Sequence, residues 1–286
     1  MRSGLRSLLI AACICCAAAS LLFAQGRGQV AANAKAAAPA DLTGYWVAVV
    51  SEDWRHRMDT PKKGDYESIP LNQAGTRAAD AWDIAKDDAA GLQCKAFGVG
   101  GIMRQPTRLH ITWQDDNTLK MDLDAGTQTR VLNFGQTKQA GEKSWQGFST
   151  AQWEGPGVGR GTAAVRAQLG NSTGPIAPGG GGRGQRGGPA LAESIGRGGS
   201  LKVVTTNFRE GYLRKNGVPY SETASITEYI HRLPSDPGEP VWLLVITAIE
   251  DPKYLTQPFY TSTQFKLEPD GSKWAPTPCK TPAPPK

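Results

Sequence analysis

The chain has 286 residues, 39% of them hydrophobic and 20% charged, and a formal net charge of +6 at pH 7. Its length, once terminal segments are set aside, suits one domain with a long insertion better than two domains. Much of the basic excess lies in one Gly-rich stretch without interleaved aromatic residues, which speaks against nucleic acid as a partner and leaves weak attraction to anionic surfaces.

In chain order, a short positive stretch with Arg2 and Arg6 precedes an apolar, small-residue run from Leu8 to Phe23. Residues 1–24 are therefore expected to be a signal peptide, cleaved after Ala24, with Cys13 as an alternative lipidation site. The run is too short for a transmembrane helix, and no transmembrane segment is expected after cleavage. Residues 25–40, rich in Ala, Gly and Gln, are expected to form a flexible tether. The folded domain then spans 41–279, and the Pro-rich residues 280–286 form a tail.

Gly44 to Ser51 begins the strands. Asn72 to Gly91 carries the one well-signalled helix, with Asn72 as N-cap, Trp82 as anchor and Gly91 closing it in the left-handed conformation. From Thr107 onward the period is two: Leu109, Ile111 and Trp113 alternate with His110, Thr112 and Gln114, and Leu119, Met121 and Leu123 repeat the pattern after a turn at Asp115-Asp116-Asn117. Further strands are predicted over Thr127–Phe134, Ser144–Trp153, Leu201–Phe208, Thr223–Leu233, Val241–Ile249 and Phe259–Leu267. Residues 154–200 interrupt them with a Gly/Arg-rich segment of almost no large apolar residues, expected to be disordered and available to an envelope partner. Val241-Trp242-Leu243-Leu244-Val245-Ile246 is apolar on both faces, so it needs cover on both. The fold class is mainly β: an antiparallel, closed or nearly closed barrel of about eight to ten strands in up-and-down order, with one packed helix.

Of five cysteines, Cys94 and Cys279 lie outside the signal segment and are expected to form a disulfide in an oxidising compartment. The opening Asp41-Leu42-Thr43-Gly44-Tyr45-Trp46 resembles the Gly-x-Trp signature at the first strand of lipocalin-type barrels. The segment Asp251-Pro252-Lys253-Tyr254-Leu255-Thr256-Gln257-Pro258-Phe259 is similar to one in uncharacterised exported bacterial β-barrel proteins. The resemblance implies a barrel able to hold a ligand and no mechanism; the helix falls earlier here than in lipocalins, and their later arginine has no counterpart that can be placed.

Asp53-Trp54-Arg55-His56-Arg57-Met58 is the densest run of functional side chains. If extended, Arg55 and Arg57 form a fork suited to a carboxylate or phosphate, with Trp54 on the other face; the alternative is loose pairing with neighbouring acids. On the strand 223–233, Tyr229 and His231 share the face opposite Glu228. Glu228 lies between Ile226 and Ile230, and is either a general acid of raised pKa or paired with a cation such as Arg104 or Lys202. His110 points inward as a base only if Leu109, Ile111 and Trp113 pack outside the barrel. His56, His110 and His231 have no spacing that preorganises zinc, so neither metal nor cofactor is expected. The leading expectation is an exported small-molecule-binding barrel for an apolar or aromatic ligand, anionic at one end, with Trp54, Arg55, Arg57, Tyr229 and His231 as contacts. The alternatives are a barrel enzyme using His110 or Glu228, and an envelope interaction protein with a filled interior. The destination after export, periplasmic or extracellular, is not specified by the signal.

Overall fold

The computed structural model describes residues 33–135, 138–154 and 199–282; the expected signal segment and most of the Gly/Arg-rich insert lie outside them. Nine strands close a barrel: β1 (Gly44–Val49), β2 (Arg108–Asp115), β3 (Thr118–Leu123), β5 (Gln128–Phe134), β6 (Phe148–Glu154), β7 (Ser200–Thr206), β10 (Ser225–Arg232), β11 (Trp242–Glu250) and β12 (Phe259–Glu268). Their order around the wall is β1-β12-β11-β10-β7-β6-β5-β3-β2, with β2 returning to β1. Closure leaves no free sheet edge. Four short strands sit outside it in two pairs: β4 (Ala125–Gly126) pairs with β13 (Thr277–Pro278), and β8 (Gly211–Arg214) with β9 (Val218–Tyr220).

The expected barrel, strand number and meander are present, with one correction. The pair β5–β6 is parallel, Leu132 lying opposite Ser149, so the barrel is mixed rather than wholly antiparallel. A parallel neighbour requires the chain to travel back along the barrel, which the connection between Phe134 and Phe148 does.

Period-two alternation decides what fills the barrel. Leu109 and Ile111 of β2, Leu119, Met121 and Leu123 of β3, Leu132 of β5, Leu243 and Val245 of β11 and Phe265 of β12 are buried in one core with Trp46. A barrel of this strand number has an interior just wide enough for such side chains to fill. The Trp46 indole N–H is satisfied within the base by the Leu42 carbonyl at 3.0 Å. The second apolar face of β11 (Trp242, Leu244, Ile246) points outward and is half-buried among cross-strand neighbours, Ile246 lying opposite Tyr229.

A second core caps the end of the barrel where β10 begins and β11 ends. It is built from Ile69, Val99, Phe208, Leu213, Val218 and Tyr220 against Ile226 and Ile249. Its elements are α1 (Trp54–Met58), α2 (Gln73–Asp80), α3 (Ile84–Ala89), two 3-10 turns (Gln93–Phe97 and Ile102–Arg104) and the β8–β9 hairpin. The single helix expected over 72–91 is two. Asn72 caps α2 by accepting from the Gly75 amide, as expected, but Asp83 accepts from Ala85 and Lys86 amides and starts α3 afresh. The break lets buried Trp82 pack on Gly217 of the hairpin, where a Cβ would come within 2.1 Å of the indole. The helices pack in the cap, α2 against β9, and not over β11 as the two-sided apolar strand suggested.

Cys94 and Cys279 are bonded, across a sequence separation of 185, tying the 3-10 turn Gln93–Phe97 to the C-terminal segment. At the opposite end of the barrel, residues 33–40 of the expected tether are held down. The Lys35 amide donates to the Asp116 carbonyl (3.0 Å), the Ala34 amide to Asn117 Oδ1 (2.9 Å), and Trp153 Nε1 to the Ala34 carbonyl (2.7 Å).

Candidate functional site: a cationic cleft in the cap

Asp53, with φ of +47°, turns the chain from β1 into α1. Because this run is helical, Arg55 and Arg57 do not form the fork that an extended chain would give. Arg55 faces solvent and pairs with Asp65 at 3.2 Å, joined there by His56. Trp54, 61% exposed, and Met58, 52% exposed, share the outer side of the turn at i and i+4. Arg57 turns inward and is 3% exposed. Its Nε donates to the Arg104 carbonyl at 3.0 Å and its Nη1 to the Glu52 carbonyl at 3.5 Å. Its Nη2 is buried with no hydrogen-bond partner among the described residues.

The β8–β9 hairpin faces it. Asn216-Gly217, with Gly217 at φ +81°, turns the hairpin and presents three consecutive donors. Arg214 donates to the carbonyls of Asp65 (3.2 Å) and Glu67 (2.9 Å), Lys215 Nζ to that of Arg57 (2.7 Å), and Asn216 to those of Lys62 and Asp65 (3.0 Å each). Arg104 donates to the Ser262 carbonyl at 3.2 Å and pairs with Asp53 outside the cleft. These bonds clamp the loop after α1. Carbonyls satisfy hydrogen-bonding capacity without cancelling charge; the carboxylates of Glu52, Asp53, Asp59, Asp65 and Glu67 surround the cluster but none lines the cleft.

The cleft these groups enclose is lined by His56, Arg57, Arg104, Gln105, Arg214 and Lys215 over an apolar floor of Ile69, Leu213 and Phe259, with no carboxylate in the lining. The enclosed space is about 20 Å³, enough for one water or one ligand oxygen atom group. Burial, reinforced by the Arg104 charge, holds the Arg57 guanidinium down at about 10. Burial likewise lowers Arg214, and it lowers Lys215, where repulsion from Arg57 adds to it. An anion placed here would relieve both the repulsion and the orphaned N–H.

The other expected site residues are dispersed. Leu109 and Ile111 fill the barrel, so His110 points outward, its ring stacked on Tyr45 at 4.0 Å with Trp274 edge-on. Glu228 points inward and is bound by both Nη atoms of Arg130, each residue being at most 1% exposed; the partners weighed from sequence, Arg104 and Lys202, are elsewhere. His110 and Glu228 thus lie on opposite faces of the wall. Tyr229 and His231 are on the outer face of β10, with Lys202 Nζ over the Tyr229 ring at 5.7 Å; burial holds His231 below the usual imidazole range. No group of three His, Cys, Asp or Glu able to hold a metal occurs among the described residues.

Sequence reasoning passed over Arg130, Arg214 and Lys215, and weighed Arg104 only as a partner of Glu228. Arg130 was legible, since it shares the inward period of Leu132 and Phe134, and Asn216-Gly217 is a hairpin signal that places Arg214 and Lys215 at a turn. Arg104 carries no local signal. A second polar cluster was also missed: the Tyr212 hydroxyl donates to Asp87 at 2.6 Å, with Lys95 Nζ 3.5 Å from each. Burial and Asp87 push that hydroxyl well above the usual phenol range, which keeps it a neutral donor joining α3 to the hairpin. Comparison with protein families, curated proteins and solved structures gives no match, so the site is assigned from its own geometry.

Proposed function

We propose that the protein is an exported small-molecule-binding protein whose ligand presents a carboxylate or phosphate oxygen to the cationic cleft of the cap. The observation that carries this is the buried, unpartnered Nη2 of Arg57 in a lining of four cationic side chains and no carboxylate. An orphaned buried donor is costly, and an oxyanion supplies what it lacks. Export is supported by the N-terminal sequence pattern and by the Cys94–Cys279 disulfide, which suits an oxidising compartment. The ligand belongs in the cap because the barrel centre is occupied by Trp46, Met121, Phe265 and the Arg130–Glu228 pair.

Titration with inorganic phosphate and with acetate, against sodium chloride at matched ionic strength, tests it. Calorimetric binding and a raised melting temperature are expected, both lost in Arg57→Met and partly restored in Arg57→Lys. Binding weakens at alkaline pH as Lys215, held below the ordinary lysine range by burial, loses its proton. No effect of either anion beyond that of chloride overturns the proposal.

A further inference from the structure

We infer that the ligand is an amphipathic anion: its charged head enters the cationic cleft while its apolar body lies in the adjoining cleft, which the disulfide-held C-terminal segment walls. This rests on the function proposed above and adds the ligand class. The space among the cations admits little more than an oxygen group, so the body of any ligand must lie outside it. Immediately beside it is a cleft of about 340 Å³ that shares Gln105 and Lys215 with the first. That volume falls within the usual range of ligand sites, about 300–1,000 Å³. Its apolar lining comes from Met58, Ala96, Phe97 and Pro282.

Three observations converge on one occupant. The shared Lys215 stands at the junction, with Asp59 on the far side of it in the second cleft, where a head group would leave the first cleft and an aliphatic or aromatic body would begin. Met58, 52% exposed, and Trp54, 61% exposed, form an unburied apolar pair on α1, the helix that also supplies Arg57. Such a pair offers apolar surface to a ligand body at the edge of the cleft. Both long walls are held by one covalent link: Ala96 and Phe97 follow Cys94 on its 3-10 turn, and Lys280 to Pro282 follow Cys279. A ligand body between these walls meets a preformed groove, and no large ordering of the chain is needed to bind it.

The test is isothermal titration of the purified protein with inorganic phosphate, butyl phosphate and octyl phosphate below its micelle concentration, with octanol as the uncharged control. Each methylene buried strengthens binding about fourfold, so octyl phosphate is expected to bind at least about 30-fold more tightly than inorganic phosphate. Octanol is expected to show no measurable binding. Met58→Gln, a neutral change at an exposed position, should flatten the chain-length series. A series already flat in the unmodified protein, with inorganic phosphate still bound, overturns this inference and leaves the cationic cleft standing. Octanol binding as tightly as octyl phosphate also overturns it. Failure of all three phosphates overturns both.

Discussion

Replacing Glu228 with Leu would leave the Arg130 guanidinium buried in the barrel without its counter-ion. Both side chains are at most 1% exposed, and the carboxylate takes both Nη groups, so the lost interaction is fully desolvated. Breaking one partner of such a pair costs about 3–5 kcal/mol. In a domain of about 150–250 residues each kcal/mol moves the melting temperature by about 2–4 °C, giving a fall of roughly 6–20 °C. Arg130→Met should cost a similar amount by stranding the carboxylate. The double variant Arg130→Met with Glu228→Leu should recover most or all of the loss, because apolar groups of like volume avoid the desolvation cost. Arg130 Nε, buried with no partner among the described residues, shifts the balance further toward the double variant. Urea unfolding followed by far-ultraviolet circular dichroism, repeated by calorimetry, completes the cycle. Single variants that each cost less than about 1 kcal/mol and add up to the double variant would refute the argument, because the pair would then be wet and the barrel centre open.

Three further outcomes follow from particular contacts. Burial holds His231 below its usual pKa, so below about 6.5 the native state binds fewer protons than the unfolded chain. Its contribution is whole above that pH and is lost as pH falls toward the lowered value; the melting temperature should decline between pH 7.5 and 5.5, less steeply in His231→Gln. Removing the disulfide with paired Cys94→Ser and Cys279→Ser reopens a loop of 185 residues and should lower stability by up to about 5 kcal/mol, read by chemical denaturation. Gly217→Ala should cost at least about 2 kcal/mol, since a Cβ meets Trp82 at 2.1 Å in a left-handed turn, whereas Gly91→Ala, also left-handed but with nothing within 4 Å, should cost about 1 kcal/mol. Equal losses at the two glycines in thermal melts would show that backbone conformation and not the Trp82 contact decides the first.

The sequence alone determined the barrel, because period-two alternation in Leu109 to Leu123 and the two-faced apolar run Val241 to Ile246 are local properties that need no knowledge of partners. It also determined the Asn72 cap and the left-handed Gly91, both set by chemistry within a few residues, and the pairing of Cys94 with Cys279 by elimination. Tertiary structure decided everything that depends on which face of the wall is inside and which distant segments meet. His110 and Glu228 were ambiguous because alternation fixes that neighbours point oppositely but not which way; packing of Leu109 and Ile111 sent His110 out, and the complementary charge of Arg130, 98 positions away, let Glu228 remain inside. Arg57 was legible as an anion-binding side chain, yet the short helix that buries it, and its juxtaposition with Arg104, Arg214 and Lys215, exist only once a long cap loop and a hairpin from the other half of the chain fold onto one end of the barrel. Long-range electrostatic clusters of this kind are not written in any local window, because their parts are brought together by the hydrophobic closure of the barrel and its cap rather than by their own attraction.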